Sequence, residues 1–283
     1  MPETIRTIDA FNRRMMISRM RGRTIGLVPT MGALHAGHAA LMERARAETQ
    51  FVVTTLFVNP TQFNEARDLD AYPRTFEADL EACERAGVDV LFAPEAAEMY
   101  PREPLTTVEV SGLDEGLCGA RRPGHFRGVA TVVAKLFLIT QPDYAYFGEK
   151  DFQQLAIVRR MVADLSFPIE VVGVETVREP DGLALSSRNR LLTPEQRRAA
   201  PAIFAGLQEA ASLAKSGERS ASALRRAALA RIEAEAELEV EYVDVVDRET
   251  LRPLEQVDAE ARIAAAVRAG SVRLIDNAAL VPG

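Results

Sequence analysis

Pro29-Thr30-Met31-Gly32-Ala33-Leu34-His35-Ala36-Gly37-His38 follows the apolar run Thr24 to Val28 and leads into a helical pattern from about Gly37 to Thr49. A buried strand, a glycine-bearing turn and two histidines three apart form an HxGH arrangement of the kind that holds the phosphates of ATP. Glycine lets the backbone approach a ligand closely, and a helix start presents unpaired N–H groups at the positive end of its dipole. Two imidazoles there add donors for charge developing on the α-phosphate. The plain alternative is a strand, turn and helix with incidental histidines, since four-residue motifs recur by chance. Against it, the chain has three histidines, His35, His38 and His125, and two of them fall in this one turn.

Working outward, the first half alternates helical and strand patterns. Helices are expected over about 8–20, 75–86, 128–140 and 151–165, with Gly87 stopping the second. Strands are expected over 24–28, 51–58, 88–92, 143–147 and 169–174; Phe51 to Val58 is apolar and β-branched, as a strand covered on both faces should be. Such alternation predicts an α/β, Rossmann-like doubly wound parallel sheet, with ligands at the carboxyl ends of its strands. The unusual loops fall there, so one crevice is expected to collect them. After about Val177 two alanine- and charge-rich helical stretches, 194–216 and 219–236, precede strand patterns at 239–246, 262–267 and 272–276. The expected domains are 1–177, binding nucleotide and acid substrate, and 178–283, a smaller C-terminal α+β unit.

The chain has 283 residues, 47% hydrophobic and 27% charged, enough for this pair of domains. A net charge of −7 argues against a nucleic-acid surface. No apolar run is long enough for a bilayer, and Met1-Pro2-Glu3-Thr4 lacks the start of a secretory signal. Cys83 and Cys118 are too few for a disulfide framework or a cysteine-rich metal site, and no protein-held metal is expected. Cys83 reads as a small core residue. These features predict a cytoplasmic protein without a membrane segment. A local basic cluster, Arg121, Arg122 and Arg127 around His125, reads as a flap over an anionic substrate, with a solvated loop as its alternative.

Three further motifs carry chemistry. In Glu179-Pro180-Asp181-Gly182-Leu183-Ala184-Leu185-Ser186-Ser187-Arg188-Asn189, a Pro-Asp-Gly turn precedes short hydroxyls beside one guanidinium, a set able to grip a triphosphate. The competing reading is a cap for the helix at Pro194, a place Thr193 already fills. In Gly148-Glu149-Lys150-Asp151, Gly148 permits a tight strand-to-helix turn, Lys150 offers a point charge, and Asp151 caps a helix or bonds ribose. Gln153 and Gln154 point along adjacent helical directions, so at most one faces a crevice. Gln62, in Asn59-Pro60-Thr61-Gln62-Phe63, is an amide after a strand, suited to hydroxyls and a carboxylate.

Taken in order, these motifs closely resemble those of the pantoate–β-alanine ligase family, a branch of the nucleotidylyltransferases in which Ser186-Ser187-Arg188-Asn189 corresponds to the KMSKS-like element. The resemblance implies condensation of (R)-pantoate with β-alanine to pantothenate, in coenzyme A biosynthesis, through pantoyl adenylate, with release of AMP and pyrophosphate. It implies ATP as substrate with Mg2+ bound to it, and a homodimer. By motif, His38, His35, Lys150 and Arg188 are catalytic. ATP is held by Met31, Gly32, Ala33, Leu34, His35, Ala36, Gly37, His38, Gly148, Glu149, Lys150, Asp151, Ser186, Ser187 and Arg188. Backbone near Val177 and Leu185 meets adenine, and Gln62, Gln154 and Asn59 meet pantoate and β-alanine. Leu185 stands where the family usually has methionine. Other readings of the residues alone are a nucleotidyltransferase with a phosphate acceptor, a class I aminoacyl-tRNA synthetase relative, and a non-enzymatic nucleotide-binding module.

Overall fold

Ile25–Thr30 (β2) and Phe51–Leu56 (β3) bury almost every residue, as strands covered on both faces must. In the computed structural model, which describes residues 1–63, 69–70 and 72–283, they lie side by side in parallel, Gly26 opposite Val52. Glu3–Ile5 (β1), Val90–Phe92 (β4), Tyr144–Gly148 (β5) and Glu170–Val174 (β6) complete a parallel sheet of order β1-β4-β3-β2-β5-β6. The order reverses direction between β2 and β5. In open α/β sheets that is where ligands bind, outside the carboxyl ends of the strands.

Alternation along the strands sorts the helices. Val28, Val52, Leu91 and Tyr146 share one core with Leu41, Met42 and Ala45 of helix Ala36–Glu48 and Cys83 of helix Phe76–Arg85. Residues one step along point the other way. Phe92 stacks on Phe11 of helix Ile8–Met20 at 4.3 Å, and Phe147 meets Phe137 of helix His125–Thr140 at 6.4 Å. The doubly wound α/β reading holds. The edge strand β1 was not foreseen, because Glu3-Thr4-Ile5 is too short and polar to show a period.

The C-terminal segment carries a three-stranded antiparallel sheet, Glu239–Asp247 (β7), Ala261–Ala269 (β8) and Val272–Leu280 (β9), with Gly270 at φ +59° in the tight β8–β9 turn. Helices Ala202–Lys215 and Ala221–Glu233 share its core. They approach closely at Gly206, where an added Cβ would stand 2.6 Å from the Ala228 carbonyl oxygen. The single helix expected over 194–216 is two, Pro194–Ala199 and Ala202–Lys215. Pro201 has no N–H for the bond that would continue the first.

The compact units are interleaved in sequence rather than divided by one cut near residue 177. One comprises Met1–Val110, Arg122–Glu149 and Ile157–Glu175; the other comprises Ser111–Arg121, Lys150–Ala156 and Thr176–Gly283. No helix among the described residues is long and apolar enough to cross a membrane.

Candidate active site

In the first unit the chain leaves β2 through a turn with Gly32 at φ +86° and Ala33 at φ +52°. A left-handed alanine is strained and needs neighbours that over-determine it. Asp79, buried in the first turn of its helix, supplies them. Its two carboxylate oxygens accept from the backbone N–H groups of Ala33, at 3.0 Å, and Leu34, at 2.7 Å. Thr75 donates its hydroxyl to the same carboxylate, and Thr30 Oγ1 accepts from the Gly32 N–H. The turn was expected to offer free backbone donors. Instead the Ala33 and Leu34 N–H groups are already bonded, and so is that of Gly37.

Gly37 is bonded by a histidine. His35 is the N-cap of helix Ala36–Glu48, and its Nδ1 accepts from the Gly37 N–H at 3.1 Å. His38 reaches back so that its Nδ1 accepts from the His35 N–H at 3.3 Å, closing a reciprocal capping box. An amide N–H donates only to a ring nitrogen with a lone pair, so in a neutral ring the hydrogen sits on Nε2. Capping thus fixes both imidazoles as Nε2–H donors, with ring centroids 4.1 Å apart. The capping role and a donor role are compatible because they use opposite nitrogens.

After β3, Asn59, Pro60, Thr61 and Gln62 form a single 3-10 turn pressed against helix His125–Thr140. Asn59 is fully buried. It accepts from Thr61 and the Tyr100 hydroxyl, and donates to the Gly128 carbonyl and to Gln62 Oε1, at 3.1 Å. Its amide is therefore engaged within the protein. The other end of the Gln62 amide, Nε2, lies 3.0 Å from Met31 Sδ, which joins the loop after β3 to the loop after β2. Gly148 ends β5 directly before the 3-10 turn Glu149–Asp151, the tight strand-to-helix turn expected there, and it makes that turn without a positive φ. An added Cβ there would meet nothing within 4 Å. Glu149 is half-buried beside it.

The second unit holds Lys150, Asp151, Gln154, Val177, Leu185, Ser186, Ser187 and Arg188. Lys150, Ser186 and Arg188 line one small pocket with Arg273 and Asp276 of β9. Burial pulls the Lys150 ammonium below its usual pKa; Asp151 and Asp276 push it up, while Arg188 and Arg178 pull it down. Asp276 is itself buried, which pushes its carboxyl up, and Arg178 counters with a two-pronged contact at 2.6 and 2.9 Å. Asn277 donates to the Lys150 carbonyl at 3.1 Å.

The Val177–Leu185 segment closes on itself: the Leu185 N–H donates to the Val177 carbonyl at 3.0 Å. That leaves the Leu185 carbonyl, not its N–H, for a base. Ser186 caps the 3-10 helix Ser187–Leu191, while Thr193 and Gln196 form the capping box at Pro194. Gln153 is buried and bonded to Leu113, Gly116 and Cys118, so its amide is occupied; Gln154 is half-buried. Asp151 is exposed.

The basic segment is a loop only over Arg122, Pro123 and Gly124, between two helices. Arg121 ends the helix Leu117–Arg121 in the second unit, and Arg122 and Arg127 belong to the first, where His125 opens a helix. Sequence reading missed Asp79, Asp276, Asn277 and the role of His125. Asp79 reads as an ordinary first-turn acid and the two β9 residues as strand edge, so only their tertiary partners reveal them.

Nearly the whole chain matches known proteins. The model of the Pantoate-beta-alanine ligase family covers residues 3–279. The chain belongs to this family. It is 52% identical to the pantothenate synthetase of Moorella thermoacetica, over 98% of both chains. To that of Geobacillus kaustophilus it is 55% identical, over 95% of this chain and 90% of the relative. Its structure superposes on pantothenate synthetase from Thermus thermophilus with a TM-score of 0.92, at 49% identity over 99% of this chain and all of the other. A Francisella tularensis pantoate–β-alanine ligase, solved in complex with "Beta-gamma ATP" and β-alanine, gives 0.80 at 34% identity, over 98% of this chain and 97% of its own. This ligase is therefore an enzyme of ATP-dependent pantoate–β-alanine ligation.

Proposed function

We propose that this ligase activates pantoate as an acyl adenylate before the amide bond forms. The pantoate carboxylate attacks the α-phosphorus of ATP, forming a C–O–P bond as the bond to pyrophosphate breaks. The uncharged amine of β-alanine then attacks the acyl carbon, AMP leaves, and the amine proton passes to solvent. Attack on phosphorus needs positioning and charge stabilisation more than a protein nucleophile. One observation carries the reading: the reciprocal capping box just after β2, in which both imidazoles accept at Nδ1 and so keep their hydrogens on Nε2.

We assign His35 and His38 to the phosphates, with His38 the principal catalytic donor. Lys150, Ser186, Ser187 and Arg188 take phosphate oxygens, Gly148, Glu149 and Asp151 the ribose, and the backbone at Val177 and Leu185 the adenine. Gln62 and Gln154 take pantoate, with Asn59 bonded to the Gln62 amide. The ligands in the Francisella complex support ATP and β-alanine as substrates of this chain as well. Mg2+ is assigned to the nucleotide. It keeps several waters and binds through phosphates with one or two carboxylates. A homodimer in the cytoplasm completes the proposal.

Pantoate-dependent exchange of pyrophosphate into ATP, measured without β-alanine, tests the intermediate. Exchange is expected, and adding β-alanine should give AMP and pantothenate in equal amounts. Product formation without any exchange activity would overturn the two-step route.

A further inference from the structure

His125 is the histidine that this reaction leaves unused, yet it is buried and engaged at both ring nitrogens. Its Nδ1 lies 2.8 Å from the Gln62 carbonyl oxygen, and its Nε2 lies 3.1 Å from Nη1 of Arg122. A guanidinium can only donate and a carbonyl can only accept. Nε2 must therefore carry the lone pair and Nδ1 the hydrogen. This tautomer is opposite to that of His35 and His38. An imidazolium would turn an N–H towards a guanidinium, so the pair also favours the neutral ring.

The element that His125 grips has little freedom elsewhere. An added Cβ on Gly128 would stand 2.4 Å from the Thr61 carbonyl oxygen and 2.8 Å from Gln62 Cα, so helix His125–Thr140 lies directly on the turn. Asn59 and Met31 then hold the two ends of the Gln62 amide. We infer that Arg122 and His125 are a positioning pair for Gln62. Arg122 sets the tautomer, the Nδ1–H of His125 anchors the Gln62 carbonyl, and the Gln62 amide is held in place for substrate. The inference rests on the assignment of Gln62 to pantoate.

With three histidines in the chain, 15N spectra of the imidazoles in the full-length enzyme can be assigned one by one. His125 should show a pyrrole-like Nδ1 and a pyridine-like Nε2 at neutral pH; the reverse pattern, or an imidazolium, overturns the tautomer argument. Kinetics test the positioning. His125→Leu strands a buried carbonyl and should raise the KM for pantoate about tenfold, leaving the KM for ATP unchanged. His125→Asn keeps an N–H near the place of Nδ1 and should recover most of that loss. Should the leucine variant not fold, the half-buried Arg122→Ala gives the same test through loss of the fixed tautomer. In a Gln62→Ala background His125→Leu should add nothing to the pantoate effect; full additivity, or an equal rise in the KM for ATP, overturns the positioning role. An unchanged pantoate KM in Gln62→Ala alone refutes the assignment of Gln62, and with it the positioning claim, while leaving the spectroscopic result intact.

Discussion

In the turn after β2, the groups around the two imidazoles are held by neighbours within three residues, or by the single carboxylate of Asp79, and the donors presented are uncharged. The Lys150 pocket is made differently. An ammonium, two guanidinium groups and a carboxylate line it, and the carboxylate is clamped by Arg178, 98 residues away in the chain. A neutral donor is cheap to pre-orient, because capping a helix already demands the bond that orients it. A buried charge must be balanced by another, and the balancing partner has to come from a distant strand. The two groups proposed to meet phosphate thus differ in what a mutation should disturb: geometry in the first, charge balance in the second.

The sharpest test of that contrast is Asp276→Ala. It leaves the mostly buried Arg178 without its partner, and should cost about 3–5 kcal/mol of stability, read from urea unfolding. A loss below about 1 kcal/mol would mean that the pair is not what holds the second group together. His38→Ala should come next: about a hundredfold or greater loss in adenylate formation. Its stability should fall by only about 0.5–2 kcal/mol, the usual cost of a cap. Near-normal single-turnover adenylation would remove His38 from catalysis.

Lys150→Ala should reduce adenylation roughly tenfold to a hundredfold, as loss of a charge-assisted bond does. It should spare the reaction of preformed pantoyl adenylate with β-alanine; equal losses in both steps would contradict a phosphate role. Asp79→Ala releases two backbone N–H groups and should raise the KM for ATP about tenfold. The smallest effect concerns pH. The Lys150 pKa is lowered, so its charge is lost on the alkaline side sooner than that of an exposed lysine. Asp276 pushes that pKa up, so Asp276→Asn should move the alkaline limb of adenylation to lower pH. An alkaline limb that stays where it is would show that the two charges are not coupled.

The same contrast explains what could be read in the sequence. The HxGH turn, its strand and its helix were legible because their determinants are local: an apolar run, a glycine and a cap. The central strands of the sheet followed from alternation. The two histidines were legible as donors, but not their tautomer, which needs the reciprocal bonds. Asp79 and Asp276 were illegible for a simple reason. Nothing in a first-turn aspartate or a strand aspartate indicates a partner 46 or 98 residues away. Gln153 and Gln154 show the limit from the other side. Helical geometry indicated that one amide is diverted, and only the contacts to Leu113 and Gly116 show that it is Gln153.

Cys83 lies in the core one turn after Asp79 on the same helix, and burial, reinforced by that carboxylate, pushes its thiol up to about 12. Almost none of it is thiolate at neutral pH, and Cys118, the other thiol, is buried as well. A single cysteine added at an exposed position should therefore take a maleimide dye ahead of both native thiols. Fluorescent reporters of ligand binding can be attached to this enzyme without first removing either one.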